Sequence, residues 1–542
     1  MKAILPPFLQ PADSETSSPR GVRGRARTSR VAACATGTDA ISMHRRDDTD
    51  IKRAFLIFVL FQILVWTIVA RALAVSLPLD VVSDGISWGH EWQLGYYKHP
   101  PLPAWLTEIA FDTLGDVGPF LLSQLAIAAT YLLVYALGRE VSDVRQAVAG
   151  TMLLAGTIYF STASPEFNNN VAQMPAWAAI ALTFYKALNT KTYRWWLALG
   201  LACGVGILMK YSSALLIAVA FVYLIANRSA RQVLLTPKPY LSMAVFAVTI
   251  APHVYWLILH HIEPIRYAVN RGGNFTGIAQ HIWILLNFVL AQLADQIVLI
   301  LVAMITGFMG RQMLPKRTDF SDPNFQFLIA LGLGPALLSV LLSMLTGLGL
   351  RAMWGAPMWN LTGLLIVFAS RHRLERTSLR RLYVCTAVLF VLQPTAYAFE
   401  TNIGPQLLGQ PCRTLWPDRA MAVFFDNEWN MRVHQPLGIV AGDGWLAGLV
   451  AMRSSPRASV FIDGNFDYSS WITPERISRE GALVIWQIDK KHQGLPAELA
   501  TLPHLKTMGV HRFKWPRAQR MPDLEVGWGI IAPQDPVTVR AK

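Results

Sequence analysis

The chain is best understood from one stretch, Asp80-Val-Val-Ser-Asp84-Gly-Ile-Ser-Trp88-Gly-His-Glu91-Trp-Gln-Leu-Gly95-Tyr96-Tyr97-Lys98-His99-Pro100-Pro101-Leu102. It gathers acidic, histidine and aromatic side chains between two segments that are apolar enough to enter a bilayer. Its prolines end a preceding helix, although proline is tolerated in the first turn of a new one. We therefore expect a polar loop that leads into an amphipathic helix at a membrane surface. A simple connecting loop with interfacial aromatic residues is the alternative.

The composition predicts a polytopic α-helical membrane protein. Of the 542 residues, 53% are hydrophobic and only 15% are charged, whereas about a quarter are charged in soluble proteins. Apolar runs that can cross about 30 Å of hydrocarbon predict about eleven transmembrane helices. The predicted spans lie near residues 54–76, 118–138, 146–163, 171–188, 195–209, 212–226, 239–259, 282–309, 326–349, 353–369 and 381–398.

The positive charges predict orientation rather than nucleic-acid binding. The net charge of +14 is spread over short connections and forms no single basic stripe. Lys and Arg concentrate in alternate connections, and such a bias marks the cytoplasmic side. With a cytoplasmic N-terminus, the loop after the first span and all residues after 398 face the periplasm, and the connections on that side hold few cations. These outward cations are Lys98, Lys210, Arg266, Arg271 and Arg351.

The two ends differ in character from the apolar middle, residues 54–398. Residues 1–53 are rich in Arg and have no long apolar core, which predicts a disordered basic tail, with Met43 as an alternative start. In residues 399–542, short β-like runs at 437–441, 459–462 and 482–486 alternate with turn residues, which predicts a periplasmic α/β domain. The four scattered cysteines predict neither a disulfide framework nor structural zinc.

The outward loops hold the side chains that a group transfer requires. The chain has no nucleotide-binding motif, so a transfer on the outer face needs a donor that the membrane carries, such as a lipid-linked phosphate. A carboxylate must take a proton from the acceptor hydroxyl. Asp80 and Asp84 are the candidates, and Glu166 in Ser164-Pro-Glu-Phe-Asn-Asn-Asn170 adds a second acidic element on the same side. Ordinary solvated loop carboxylates remain the alternative.

The outward cations are candidates for binding the phosphate. Lys210 is the single charged residue of a long apolar stretch, on the side where Lys is disfavoured. Cations stabilise a phosphate as it leaves. Arg266, Arg271 and Arg351 are expected at the same membrane level. Snorkelling of Lys210 to the membrane surface is the alternative.

Several of these segments resemble bacterial glycosyltransferase family 39. These are polyprenyl-phosphate-sugar-dependent transferases, related to protein O-mannosyltransferases and to the lipid A aminoarabinose transferase. The string Gly95-Tyr-Tyr-Lys-His-Pro-Pro-Leu102 is the most specific match, and the resemblance covers most of residues 54–370. Further similar segments are Glu166–Asn170 with Trp177, Lys210-Tyr211, Pro252-His253 before Trp256, and Trp354-Gly-Ala-Pro357.

The resemblance implies a C-type glycosyltransferase fold in which the first periplasmic loop supplies the catalytic aspartate. The usual Asp-Glu pair is Asp84-Gly85 here, so the base stays open between Asp80 and Asp84, with Glu166 as a further catalytic candidate. No cofactor or metal site is predicted, and a divalent cation is left open. The substrate-binding residues that the resemblance and the outward cations suggest are Tyr97, Lys98, His99, Asn168, Asn170, Lys210, Tyr211, Arg266, Arg271 and Arg351.

These patterns together predict an inverting glycosyltransferase of the bacterial inner membrane. It would take a sugar from a polyprenyl-phosphate-linked donor and pass it to a glycolipid or glycan acceptor, such as lipopolysaccharide core or lipid A. The lipid bilayer is its third partner, and nucleic acid is excluded. A transporter or lipid flippase is the alternative, although an odd number of spans and an outward domain argue against it.

Overall fold

The computed structural model describes residues 26–264, 266–267, 277–309, 320–370, 376–489, 493–517 and 520–534. The chain divides into two units, residues 1–53 and residues 54–542. In the first unit a helix begins at Ala26, inside the tail for which we expected disorder. The second unit contains the apolar helices and a five-stranded sheet.

Most of the second unit is helical. The helices of the described residues are α1 Ala26–Leu73, α2 Ser87–Gly89, α3 Leu102–Leu114, α4 Gly118–Val141, α5 Val144–Leu153, α6 Asn169–Thr190, α7 Tyr193–Met209, α8 Ser213–Ala226, α9 Lys238–Leu259, α10 Ile278–Ile305, α11 Pro323–Thr346, α12 Thr362–Ala369, α13 Arg376–Ala398, α14 Gly404–Leu408, α15 Asp418–Val433, α16 Gly444–Ala451, α17 Pro474–Glu480 and α18 Ala497–Ala500. A π-helix at Val81–Ile86 and a 3₁₀ helix at Ala352–Trp359 are the irregular turns that matter most below.

The structure gives fewer candidate spans than the sequence predicts. Each of the eleven apolar runs falls on helical structure, but six stretches of the described residues are long and apolar enough to cross a membrane. A seventh arises if the bent pair Ala352–Trp359 and Thr362–Ala369 is one span. At 1.5 Å per residue, Tyr193–Met209 and Ser213–Ala226 reach only about 25 and 21 Å, which is short of the hydrocarbon thickness. The six stretches are Asp48–Leu73, Leu102–Val141, Lys238–Leu259, Ile278–Ile305, Pro323–Thr346 and Arg376–Leu408.

The C-terminal region folds around a mixed sheet with the order β2-β1-β3-β5-β4. Strand β1 pairs in parallel with β2 and β3, whereas β5 is antiparallel to β3 and to β4. One face buries a core that includes Ile439, Phe461 and Val484. The three runs predicted from the sequence coincide with the first three strands, and the last two strands were missed. The strands are β1 Ile439–Gly442, β2 Ser459–Ile462, β3 Ala482–Ile488, β4 Lys506–Phe513 and β5 Leu524–Ile531.

This C-terminal region packs directly on the first loop. Helix α16 approaches the π-helix so closely that a Cβ on Gly448 would lie 2.7 Å from Ser87 Oγ and 2.9 Å from Val82 Cγ1. Only glycine allows that approach without a shift of the neighbouring atoms. The backbone N–H of Val75 also donates to the carbonyl of Thr414, at 2.8 Å. The C-terminal region therefore forms one wall of any site that the first loop lines.

Two arginines extend this packing with ion pairs. Arg453, whose side chain is 15% exposed, lies 2.8 Å from both Asp116 Oδ1 and Asp418 Oδ2. Arg457 pairs with Glu108 on α3 and lies 3.0 Å from His90 Nδ1. Glu108 lies on α3 and Asp116 in the turn between α3 and α4, so both arginines join the C-terminal region to this pair of helices.

Replacing Arg453 by Met should destabilise the protein by about 3 kcal/mol or more, because it leaves the Asp418 carboxylate, which is 1% exposed, without its cation. The apparent melting temperature in detergent, measured by tryptophan fluorescence, is the readout. The matched control is Arg419→Met. Arg419 also contacts Asp116, at 3.2 Å, but its side chain is 70% exposed, and an exposed pair contributes about 0–1 kcal/mol. Equal melting temperatures for both variants would contradict the proposed contribution of Arg453 to stability.

Candidate active site

The first loop begins as a π-helix directly after Asp80. The turn Val81–Ile86 contains Asp84 and lies against α3, where a Cβ on Gly85 would come within 2.7 Å of Thr107 Cγ2. Glycine at 85, where family 39 usually has glutamate, thus allows the loop to lie close to the helix. Single π-turns occur often at functional sites because they displace a side chain from regular helical register. Here the displaced segment carries one of the two candidate bases.

The structure brings the three predicted carboxylates together. The backbone N–H of Asp80 donates to Glu166 Oε1 at 2.9 Å, which joins the first and second outward loops. Burial raises the pKa of Asp80 to about 7, and the negative charges of Glu166 and Asp84 add to the effect. Burial also raises the pKa of Glu166. A carboxyl group with a pKa near neutrality is suited to accept and return a proton under working conditions.

Cations from two distant segments adjoin the carboxylates. Lys98 Nζ lies 3.4 Å from Asp84 Oδ1 and 5.0 Å from the centre of the Tyr97 ring. Burial disfavours its ammonium, but the Asp84 carboxylate holds the pKa of Lys98 above its ordinary value. Arg413 Nη1 lies 4.0 Å from Glu166 Oε2, and its charge lowers the pKa of Asp80. No sequence pattern singled out Arg413, because it follows the last apolar run in a segment assigned to another domain.

Lys210 is held beside this cluster by the second outward loop. Asn168 caps α6 and accepts hydrogen bonds from the backbone N–H groups of Asn170, at 2.9 Å, and Val171, at 3.2 Å. The Asn170 side-chain oxygen accepts a hydrogen bond from the Lys210 ammonium, which is buried at the break between α7 and α8. Burial lowers the pKa of Lys210 to about 8, against the opposing charge of Asp80. The structure thus places Lys210 against Asn170 of the second outward loop, while its predicted role in binding the donor phosphate stays a prediction.

Tyr211 joins the same region to α9. Its hydroxyl lies 2.9 Å from His253 Nε2, while His253 Nδ1 lies 2.7 Å from the Leu94 carbonyl oxygen. The carbonyl can only accept, so Nδ1 carries the proton and Nε2 accepts from the tyrosine hydroxyl. This chain of hydrogen bonds fixes the first loop against α9 and orients Tyr211 next to Lys210.

Tyr97 and His99 lie where the loop meets the C-terminal region. The Tyr97 ring stacks on Tyr468, with centroids 4.2 Å apart and planes 15° apart. His99 is half-buried with its ring 6.3 Å from that of Trp88. A cavity of about 410 Å³ opens between the first loop and the C-terminal region. Its lining residues are Leu79, Ser83, Asp84, Trp88, Tyr97, Lys98, Tyr267, Asp443, Gly444, Trp445, Ile462, Asp463 and Tyr468.

Two of the predicted arginines, Arg266 and Arg351, are not part of this cluster. Arg266 is 68% exposed and pairs with Glu263 at 3.4 Å. Arg351 is exposed before the 3₁₀ helix, and Arg271 lies outside the described residues. Glu108, which no sequence pattern singled out, is buried against Arg457. Within the described ranges, no group of three or more His, Cys, Asp or Glu side chains could hold a metal ion.

Comparison with known proteins points in one direction. The family model described as dolichyl-phosphate-mannose-protein mannosyltransferase matches residues 98–256. The lipopolysaccharide core galacturonosyltransferase RgtA of Rhizobium johnstonii is 27% identical over 221 residues, which are 40% of this chain and 44% of that protein. RgtB of the same bacterium is 23% identical over 446 residues, 79% of this chain and 86% of its own length. The match to RgtA thus spans less than half of that relative, whereas the match to RgtB spans most of it.

Among solved structures, ArnT from Cupriavidus metallidurans bound to undecaprenyl phosphate superposes with a TM-score of 0.57 and 14% identity, covering 87% of this chain and 97% of ArnT. At that identity the likeness shows the fold, which is the helical fold of a membrane glycosyltransferase. The family match, the two sequence relatives and the shared fold agree with the motifs of the outward loops. Together they support a membrane glycosyltransferase of the family 39 type as the nearest description of this chain.

Proposed function

We propose that this chain is an inverting glycosyltransferase that moves a sugar from a polyprenyl phosphate to a glycolipid acceptor at the periplasmic face of the inner membrane. The observation that carries the proposal is the half-buried Asp80 carboxyl group, whose pKa is raised to about 7 between Glu166 and two cations. The names of the relatives support the chemistry. RgtA and RgtB are lipopolysaccharide core transferases, and ArnT was crystallised with undecaprenyl phosphate. Lipopolysaccharide core or lipid A is therefore the acceptor we propose.

The proposed topology places the first loop and the C-terminal region on the same side of the membrane, and their packing supports it. The first loop and the C-terminal region line one cavity, so both must lie on the same side of the membrane. The distribution of Lys and Arg assigns that side to the periplasm. The N-terminus is then cytoplasmic, and the donor lipid reaches the site from within the bilayer.

Asp80 is the better candidate for the base. The Asp84 carboxylate already pairs with Lys98 at 3.4 Å, so a nearby cation partly balances its negative charge. Asp80 takes the proton from the acceptor hydroxyl, and that oxygen forms a bond to the anomeric carbon. The bond from this carbon to the phosphate oxygen breaks with its electron pair on the oxygen. A single displacement of this kind inverts the configuration at the sugar carbon.

The leaving phosphate requires positive charge, since it gains negative charge as the bond breaks. Lys210, Lys98 and Arg413 are the cations nearest to the carboxylates. Lys210 is held by a neutral side chain, Asn170, and therefore keeps its full charge for the phosphate. A bound phosphate also restores the pKa of Lys210 that burial lowers, so the ammonium stays charged throughout the reaction.

Replacing Asp80 by Asn should lower transfer by roughly 10²–10⁴-fold, because the amide cannot take the proton. The measurement is release of polyprenyl phosphate from polyprenyl-phosphate sugars by protein in nanodiscs with lipopolysaccharide present. Asp84→Asn should have a milder effect, and Asp112→Asn, on the exposed side of α3, serves as the control. Transfer at the wild-type rate by the Asp80 variant would remove the base from the first loop.

The pH dependence tests the same group with two opposite charge changes. Asp80 must be ionised to act, so kcat/KM should rise with pH and level off above a midpoint of about 7. Glu166→Gln removes a negative charge that raises this pKa, so the rise should move to lower pH. Arg413→Gln removes a positive charge that lowers it, so the rise should move to higher pH. Shifts in the same direction, or none, would show that another group sets the profile.

Replacing Lys210 by Met should weaken use of the donor by about 10–100-fold in kcat/KM, since a charge-assisted hydrogen bond to phosphate contributes about 1.5–3 kcal/mol. The same nanodisc assay, at varied donor concentration, measures it. Lys514→Met changes an exposed lysine of the C-terminal region and should have no effect. If the donor kinetics are unchanged in the Lys210 variant, this lysine does not bind the donor phosphate and instead snorkels to the membrane surface.

A further inference from the structure

A second, larger cavity lies in the C-terminal region next to the site. It has a volume of about 1070 Å³ and shares four lining residues with the 410 Å³ cavity. We call it the outer cleft and define it by Trp416, Trp445, Trp486, Asp443, Asp463 and Glu498. The shared residues, Asp443, Trp445, Asp463 and Tyr468, connect it with the space beside Asp84 and Lys98.

Three indole N–H groups of the outer cleft lack an acceptor. Trp416 and Trp486 are only 4% and 7% exposed, yet the Nε1 atoms of Trp416, Trp445 and Trp486 have no hydrogen-bond partner among the described residues. Buried donors are almost always satisfied, because an unsatisfied one costs stability. These Nε1 atoms are themselves buried, and five tryptophans outside the cleft, among the described residues, share the feature, so the three indoles contribute ring surface to the lining of the outer cleft rather than accessible donors.

The outer cleft is acidic although the chain is strongly basic. Burial, together with the nearby charges of Asp443 and Glu498 and against the opposing charge of Lys98, raises the pKa of Asp463 to about 6. No lysine, arginine or histidine is found among the described residues that line the cleft. An anion such as phosphate is repelled there, whereas hydroxyl groups and ammonium groups donate to the carboxylates.

We propose that the outer cleft binds the acceptor saccharide, and that it selects hydroxyl-rich or amine-bearing sugars without phosphate. Aromatic faces offer apolar contact area for sugar rings, and the carboxylates accept hydrogen bonds from sugar hydroxyl and ammonium groups. This inference rests on the proposed function, and it adds the chemical class of the acceptor. The phosphate groups of a glycolipid then lie outside the cleft, and a hydroxyl of the bound sugar reaches the catalytic carboxylates through the shared residues.

Binding without any donor tests the cleft itself. The full chain in nanodiscs is titrated with a glucosamine tetrasaccharide, with its neutral N-acetylated counterpart and with a 6-phosphorylated counterpart, and tryptophan fluorescence and calorimetry report binding. The glucosamine oligomer should bind about tenfold more tightly than the neutral one, since it adds charge-assisted hydrogen bonds. The phosphorylated oligomer should bind weakest. Equal or tighter binding of the phosphorylated sugar would overturn the inference.

A pair of tryptophan variants separates binding from stability. Trp445→Phe, at a half-buried tryptophan that lines both cavities, keeps a ring but reduces the aromatic surface, so it should weaken saccharide binding about tenfold at unchanged melting temperature. Trp429→Phe removes an N–H that donates to the Gln435 carbonyl at 2.8 Å, outside the cleft. This variant should lower the melting temperature and leave binding unchanged. The reverse pattern would show that the indole groups of the cleft serve packing alone.

Asp463→Asn tests the charge. The backbone of Asp463 has a φ of 52°, which asparagine tolerates better than most residues. The variant should abolish the preference for the glucosamine oligomer over the neutral one. Glu525→Gln, in an exposed pair with Arg512, is the control with the same change in net charge. An unchanged preference in the Asp463 variant would contradict the proposed role of the carboxylates.

The two proposals fail in different ways. If the saccharides bind as expected but no polyprenyl-phosphate sugar ever releases polyprenyl phosphate, the transferase function is wrong and the binding cleft stands. If transfer to lipopolysaccharide occurs and neither Trp445→Phe nor Asp463→Asn changes the KM for this acceptor, the cleft is not the acceptor site. Loss of both binding and transfer in these variants, at wild-type melting temperature, supports the cleft as part of the transferase.

Discussion

Three carboxyl groups with like charge lie close together at the edge of a membrane, and this repulsion is the constraint on which the site depends. The contact that holds them is local, because the Asp80 N–H donates to Glu166. The compensating charge is not local. It comes from Lys98 in the same loop, from Lys210 between two helices, and from Arg413 in the C-terminal region. The site therefore exists only when three distant parts of the chain are folded together.

The C-terminal region is for this reason part of the site rather than an appendage. Arg453 and Arg457 fasten it to Asp116 and Glu108, and Gly448 brings α16 against the π-helix. The same contacts bring Arg413 to Glu166 and Tyr468 to the Tyr97 ring. Ion pairs of this kind cost desolvation, so their gain lies as much in fixing one arrangement as in stability. A precise arrangement is what a proton transfer between bound substrates requires.

The sequence allowed part of this site to be predicted, for physical reasons that can be stated. Asp80, Asp84 and Glu166 stand out because polar side chains beside long apolar runs are rare, and Lys210 stands out because it interrupts such a run. Arg413 and the burial of Glu108 were missed because each depends on a partner far away in sequence, Glu166 and Arg457 respectively. Spacing within a loop or helix carries no information about such partners. Arg266 and Arg351 were chosen for their membrane level alone, and level does not bring a side chain to a carboxylate.

The number of spans was harder to predict for a related reason. Hydropathy measures whether a segment tolerates lipid, and α7 and α8 satisfy that measure although each is too short to cross unaided. Their break at Lys210 leaves polar backbone groups at depth, which proteins tolerate where the break lines a cavity or is buried in protein. The Lys210 backbone N–H still donates to Gly206, and its carbonyl accepts from Ser213. The backbone hydrogen bonds at the break are thus formed within the chain, so the Lys210 ammonium is not needed to satisfy them. The helix break that makes the number of spans hard to predict from the sequence also places the buried Lys210 ammonium beside the carboxylates.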